Sequence, residues 1–314
     1  MYKPFKSIDD QIALLESRGV ICDRDTRTIL MREGYYSIVN GYKDPFLDPT
    51  ATVRAGDDRY LPGTRFDDIL HLFNFDRQLR ITVFKSLILA EAVLRTTCAY
   101  CFSQLHQDEA NAYQQSRNLN QPTNTEHDIV TPLINQIEKI ISKGARDPRE
   151  GGKGYIRHCV LDHDSEVPLW VLVNDMTIGQ VANFYRVMGR EARGTAARQF
   201  EELYRTSHKK SREITSDKID SIYSRIKNFR NICAHDERLY CARPFGANNS
   251  LAQLMRDLEL VLTKQKHREF LQQVESLMMR LKGDLPEHAS RIFKDMGIDS
   301  LEQLRSYMES IRKN

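Results

Sequence analysis

At 314 residues and a formal net charge of +3, the chain is neither a polycation nor a miniature scaffold that needs disulfide staples. Affinity for nucleic acid would have to come from local patches rather than from overall charge. Apolar residues make up 40% and charged residues 28%, the balance of a globular protein with a real core.

The six cysteines, at 22, 98, 101, 159, 233 and 241, are too scattered for a small disulfide framework. No signal peptide is expected, since "MYKPFKSIDDQ" has no apolar core after its lysines, and the apolar stretch from Leu87 to Leu94 contains Glu91 and is too short to span a bilayer. The expectation is a cytoplasmic protein in a reducing compartment, with no membrane partner.

The pattern is helical nearly throughout. Ser7 caps a first helix that places Ile8, Ile12 and Leu15 on one face and stops at Gly19. A second helix, about Asp25 to Glu33, runs into "GYYSIVNGYKDPF", whose glycines, aromatics and proline predict a packed turn.

From Thr64, read as a cap, one pattern continues to about Gln104 without proline or glycine. Its apolar residues (Phe66, Phe73, Phe84, Ile88 and Leu94 among them) cover most of the circumference, which predicts a central, buried helix. Asp76, Arg80, Glu91 and Arg95 fall within a single arc of about 100°, as two acid-then-base pairs at i,i+4. They fit a solvated stripe, a structural ion-pair network, or support for a site supplied by another helix.

Polar, glycine-containing loops follow at 107–128 and 142–155, flanking a helix around Leu133 to Ile141. Pro168 suits a first helical turn, and Thr177 with Gln180 forms a capping box. A basic loop, "RTSHKKSR" at 205–212, leads to a helix capped by Ser216 whose apolar face is Ile219, Ile222, Tyr223, Ile226, Phe229 and Cys233. Beyond "ARPFGANN" the chain is again helical: Leu251 to Leu262, Glu269 to Leu281, Pro286 to Met296 and Ser300 to Ile311. With no convincing strand, the fold class is all-α. The expected division is 1–248 as one domain with N-terminal helices and 249–314 as a C-terminal helical extension.

The stretch "KNFRNICAHDERLYC", Lys227 to Cys241, carries the chemistry. Asn231 and His235 are i,i+4, so they share a helix face and Asn231 can orient the imidazole. Arg230 and His235, five apart, are about 140° apart on an ideal helix and converge only if the arginine curls, the helix end distorts, or both point into one groove. Histidine exchanges protons near neutral pH, and arginine offers a fork matched to phosphate oxygens. That combination suits phosphodiester cleavage in RNA by the substrate's own 2′-OH, with no metal and no cofactor. In-line transfer prefers two proton-handling groups, and this motif supplies one histidine per chain. A two-fold homodimer would supply the second. The bland alternative is a lone histidine balancing a helix dipole.

Other positions admit weaker readings. Cys98 and Cys101 with Cys233 and His235 have the types of a zinc site, but at i,i+3 in an apolar helix cysteine behaves as a small hydrophobe, so no metal is expected. Arg186, Arg190, Arg193, Arg205, Lys209, Lys210 and Arg212 would make a phosphate-binding strip for RNA, or a solvated charge run.

"FRNICAHDERLY" resembles the R-x4-H signature of HEPN ribonucleases as written in Abi-like (AbiD/AbiF-type) proteins of bacterial abortive infection. "GYYSIVNGYKDPF", "FDRQLRITVFKSLILAEAVLR", "YIRH" and "PLWVLVNDMTIGQV" agree in the family's order, spanning about Gly34 to Tyr240. The resemblance implies a HEPN-type helical bundle, metal-independent RNA cleavage, dimerisation and a role in phage defence. It carries the catalytic motif onto Arg230, Asn231 and His235. Asp76, Arg77, Arg80, Glu91 and Arg95 match the family's charged helix as its support. A dedicated small noncoding RNA is a further implied partner, whether it controls the nuclease or replaces its activity.

Overall fold

The computed structural model describes residues 5–122 and 127–313; the part of the expected 107–128 loop at 123–126 lies outside the described residues. The fold is all-α. Among the described residues only two isolated bridges interrupt the helical pattern, Ile21 with Arg65 and Leu47 with Tyr60. The helices fall into two compact units: Met1–Val83 with Ile232–Gln253 and Glu269–Lys313, and Phe84–Asn231 with Leu254–Arg268.

The first unit opens with α1 (Ile8–Ser17), held by a capping box between Ser7 and Asp10, and α2 (Thr26–Glu33). "YYSIVNGYKDPF" is more regular than a turn. Tyr36–Asn40 forms a π-helical turn and Asp44–Phe46 a 3-10 turn, with Ile38, Val39, Tyr42 and Phe46 buried. After α3 (Pro49–Ala55) comes α4 (Phe66–Leu105), whose first part, to Val83, belongs here. Thr64 is not its cap: the Thr64 hydroxyl donates to the Leu61 carbonyl at 2.7 Å, and the Asp68 carboxylate accepts the Arg65 N–H instead. Tyr42 packs edge-on against Phe73 (5.4 Å) and stacks with Tyr240 (6.2 Å).

The second unit holds α4 from Phe84 onward, α5 (Val130–Gly144), α6 (Gly154–Asp162), the short α7 (Leu169–Leu172), α8 (Ile178–Val187), α9 (Arg190–His208) and most of α10 (Ser216–Ala234). The Thr177–Gln180 capping box starts α8 as expected. α10 is capped one residue earlier than expected: the Thr215 hydroxyl accepts the Lys218 N–H at 3.2 Å, while Ser216 donates to the Arg193 carbonyl. The basic "loop" is half helix, because Arg205 to His208 complete α9 with His208 buried. Ile219, Ile222, Tyr223, Ile226 and Phe229 form the buried face of α10. Tyr223 anchors this face by donating its hydroxyl to the Ala90 carbonyl at 2.9 Å. α4 is not buried all round: Ile81, Ile88, Leu89 and Tyr100 are exposed.

The C-terminal stretch forms α11 (Leu251–Glu259), α12 (Lys264–Asp284), α13 (Ala289–Met296) and α14 (Leu301–Lys313). In the first unit, His288 packs against Phe46 at 4.7 Å and Gly297, at φ +82°, lies against Ser250. These contacts tie the last helices to earlier segments of the same unit.

Candidate functional site

The end of α10 is a helix stop built without glycine. Ala234 is the last helical residue and His235 follows it. Asp236 takes a left-handed φ of 58°, and the Glu237 N–H returns to the Ile232 carbonyl at 3.1 Å. This is a Schellman-type closure, in which glycine usually occupies the left-handed position. An aspartate tolerates that conformation, and here Arg80 holds it: its guanidinium pairs with the Asp236 carboxylate and donates to the Glu237 carbonyl at 3.2 Å. His235 is thereby presented to solvent on a fixed turn.

Asp76 anchors the same segment from below. It is fully buried. Its Oδ2 accepts from the Tyr42 hydroxyl (2.8 Å), Arg80 Nη1 (2.8 Å) and the Leu239 N–H (3.0 Å), and its Oδ1 from the Tyr240 N–H (2.7 Å). Burial pushes the carboxyl above the usual carboxylate range, against the pull of the Leu239 N–H, Arg80, Tyr42 and the Tyr240 N–H. All four neighbours point donors at it, so a carboxylic proton would find no acceptor. The geometry supports the ion pair. Asp76 and Arg80 are therefore not a solvated stripe; they clamp the five residues that follow His235.

Arg77 does something different. Its guanidinium lies 4.4 Å from the centre of the Phe73 ring and bonds Glu33 at 2.7 Å, holding the Glu33 carboxyl below its usual range. Cys233 is no nucleophile at neutral pH, since burial pushes its thiol up to about 12.

In the second unit Glu91 is buried and paired with Arg95 one turn on; Arg95 Nη2 also donates to the Met176 carbonyl at 2.6 Å. Arg230 Nε lies 3.9 Å from Glu91 Oε2, and its guanidinium stands 6.0 Å from the Phe84 ring centre. Arg230, Glu91 and Arg95 line one cavity of about 1000 Å³. Asn231 is exposed.

The sequence missed four residues: Tyr42 and Asp236 of the clamp, and Tyr100 and Trp170 of the cavity wall. Trp170 gave one signal, as the single tryptophan of the chain.

The basic strip is partly neutralised. Arg186 pairs with Asp220, Arg193 with Asp217, Arg205 with Glu202 and Arg212 with Glu259, while Arg190, Lys209 and Lys210 are exposed. Cys98 and Cys101 are core residues. Burial raises both thiols, that of Cys101 to about 11, and Cys101 donates to Gln199 Oε1 at 3.1 Å. Among the described residues, no three His, Cys, Asp or Glu side chains stand together as a metal site, and no helix is long and apolar enough to cross a membrane.

One protein-family model matches the chain, over residues 28–241, and its description is Abi-like protein. No curated protein and no solved structure matches the chain.

Proposed function

The chain belongs to the Abi-like protein family, which points to a role in abortive infection, and we propose that it acts there as a metal-independent, HEPN-type endoribonuclease. Arg230 binds the scissile phosphate and stabilises the charge that develops on it. His235 moves protons between the 2′-OH, the leaving 5′-oxygen and water. Asn231 orients the imidazole. A homodimer supplies the second histidine that in-line transfer calls for, so that one activates the nucleophile while the other protonates the leaving group.

One observation carries this reading: a buried ion pair is aimed at the turn behind His235. Buried pairs cost desolvation and seldom add net stability, so one that fixes an exposed histidine fits positioning better than folding alone. The companion pair, Glu91 with Arg95, stands beside the motif arginine.

The test is cleavage of a single-stranded RNA by purified protein in EDTA. Wild type should leave products ending in 2′,3′-cyclic phosphate, and His235→Ala and Arg230→Ala should each lose at least about a hundredfold in rate, the lower range for a general acid–base group. Cleavage that requires Mg²⁺, or that survives His235→Ala, overturns the proposal.

A further inference from the structure

The cavity beside Arg230 has two unlike ends. One is cationic: Arg230 and Arg95 with Glu91 between them, a net charge of +1 from these three side chains. Both arginines carry a buried Nε with no hydrogen-bond partner among the described residues. Those atoms are closed to solvent, so an oxyanion would meet the exposed parts of the two guanidiniums, whose side chains are 20% and 34% exposed where they line the cavity. The other end is aromatic. Tyr100 and Trp170 line the cavity yet are 58% and 60% exposed, an unusual placement for the two largest side chain types when nothing covers them. The Trp170 turn is fixed from behind, because the Asn174 side chain donates to the Trp170 carbonyl at 3.1 Å.

We propose that this cavity is a nucleotide subsite for single-stranded RNA. One unpaired base stacks on Trp170 and Tyr100, and an adjoining phosphate sits on Arg230 and Arg95. The proposal rests on the nuclease reading for its choice of RNA and deepens it by naming what the site grips. Charge decides between an RNA segment and a protein helix as occupant. An apolar helix would cover the aromatic wall but bring no anion to the two arginines, whereas a nucleotide brings a π-face and phosphate oxygens together. Stacking tolerates any base, so little sequence preference is expected from this end.

The single tryptophan makes the test direct, because all indole emission reports on Trp170. A His235→Ala protein is titrated with a short single-stranded RNA, with AMP, and with ribose 5-phosphate, which carries the phosphate but no base. The RNA should quench the emission, AMP should do so only at higher concentration, and ribose 5-phosphate should not. Anisotropy with a labelled RNA should show affinity falling about fivefold or more for Trp170→Leu and for Tyr100→Leu, the scale of one lost base stack. In the otherwise wild-type chain, Trp170→Leu should slow cleavage at low RNA concentration more than at saturation.

Unchanged emission with RNA together with unchanged affinity in both leucine variants overturns the subsite. So does AMP binding more tightly than RNA, which would make it a site for a free nucleotide. An emission shift that follows protein concentration alone also overturns it, since a second copy would then be the occupant. Failure of the nuclease reading is separable: it appears as cleavage by His235→Ala, while the quenching titration still reads the cavity.

Discussion

Asp76→Asn is the sharpest perturbation of the turn behind His235. The substitution keeps the shape of the side chain, but replaces one acceptor oxygen with an NH2 group and removes the charge. Three donors converge on Oδ2 and one on Oδ1. Turned to keep its oxygen at the three-donor side, the amide points N–H at the Tyr240 N–H and leaves that group unsatisfied, at a cost of about 1–3 kcal/mol. Arg80 meanwhile loses its buried counter-ion, and breaking such a pair from one side costs about 3–5 kcal/mol. Arg80 keeps its pairing to Asp236, which argues for the lower end of that range. A total loss near ~4 kcal/mol is expected. Urea unfolding at an unchanged m-value would measure it as a lower midpoint, and hydrogen exchange would show the Leu239 and Tyr240 amides speeding up by about a hundredfold. The control is Asp236→Asn, an exposed partner whose loss should cost within about 1 kcal/mol. If Asp76→Asn costs less than about 1 kcal/mol, or leaves both amides as protected as before, the clamp is not what holds this turn.

Three further outcomes follow from particular contacts. His267 is buried, its Nε2–H donates to the Met255 carbonyl at 2.8 Å, and burial depresses its pKa to about 4 from 6.5. The folded state therefore resists protonation that the unfolded chain accepts, and this contribution is complete above pH 6.5 and lost as pH falls toward 4. By pH 5 the loss should amount to about 2 kcal/mol, and His267→Gln should flatten the pH dependence of the urea midpoint by that much; an unchanged slope would falsify the assignment. Gly297→Ala forces a Cβ to within 2.7 Å of Ser250 Oγ at a φ of +82°, so thermal melting should show a loss of about 2 kcal/mol, partly recovered by pairing it with Ser250→Gly. Thr177→Ala removes the α8 cap and should cost about 1 kcal/mol, read by the same melt; an unaltered Tm would show the box to be idle.

Local chemistry was legible in the sequence where the partner lies within one helical turn. The Ser7 cap, the Thr177 box, the Asp76–Arg80 and Glu91–Arg95 pairs and the apolar face of α10 are all relations at i+3 or i+4. What failed needed a distant partner. Thr215 and Ser216 are adjacent hydroxyls with equal claim to a cap, and only the Arg193 carbonyl, 23 residues away, draws Ser216 off. Asp236 gives no sequence sign of a left-handed residue, because the arginine that steadies it lies 156 positions earlier. Tyr36–Asn40 is a π-helical turn with Ile38 and Val39 buried, and composition announces only the packing. Trp170 sits in "PLWVLV", where a helix of four residues is too short for periodicity to tell a buried face from an exposed one.

The two ion pairs of α4 share a spacing and differ in how completely they are answered. Asp76 and Arg80 are closed: both carboxylate oxygens accept, and the guanidinium is engaged by Asp76, Tyr42, Asp236 and Glu237. A closed pair has nothing left to offer a ligand and serves as a strut. Glu91 and Arg95 are open: with Arg230 they line a cavity, and the two arginine side chains stay 20% and 34% exposed. A guanidinium that a cavity leaves partly exposed can still take an anion. The same cavity holds an exposed indole and an exposed phenol, which fits the proposed nucleotide, an oxyanion with an aromatic body. On the proposed reading, binding falls to the open pair, and the closed pair holds the histidine turn still.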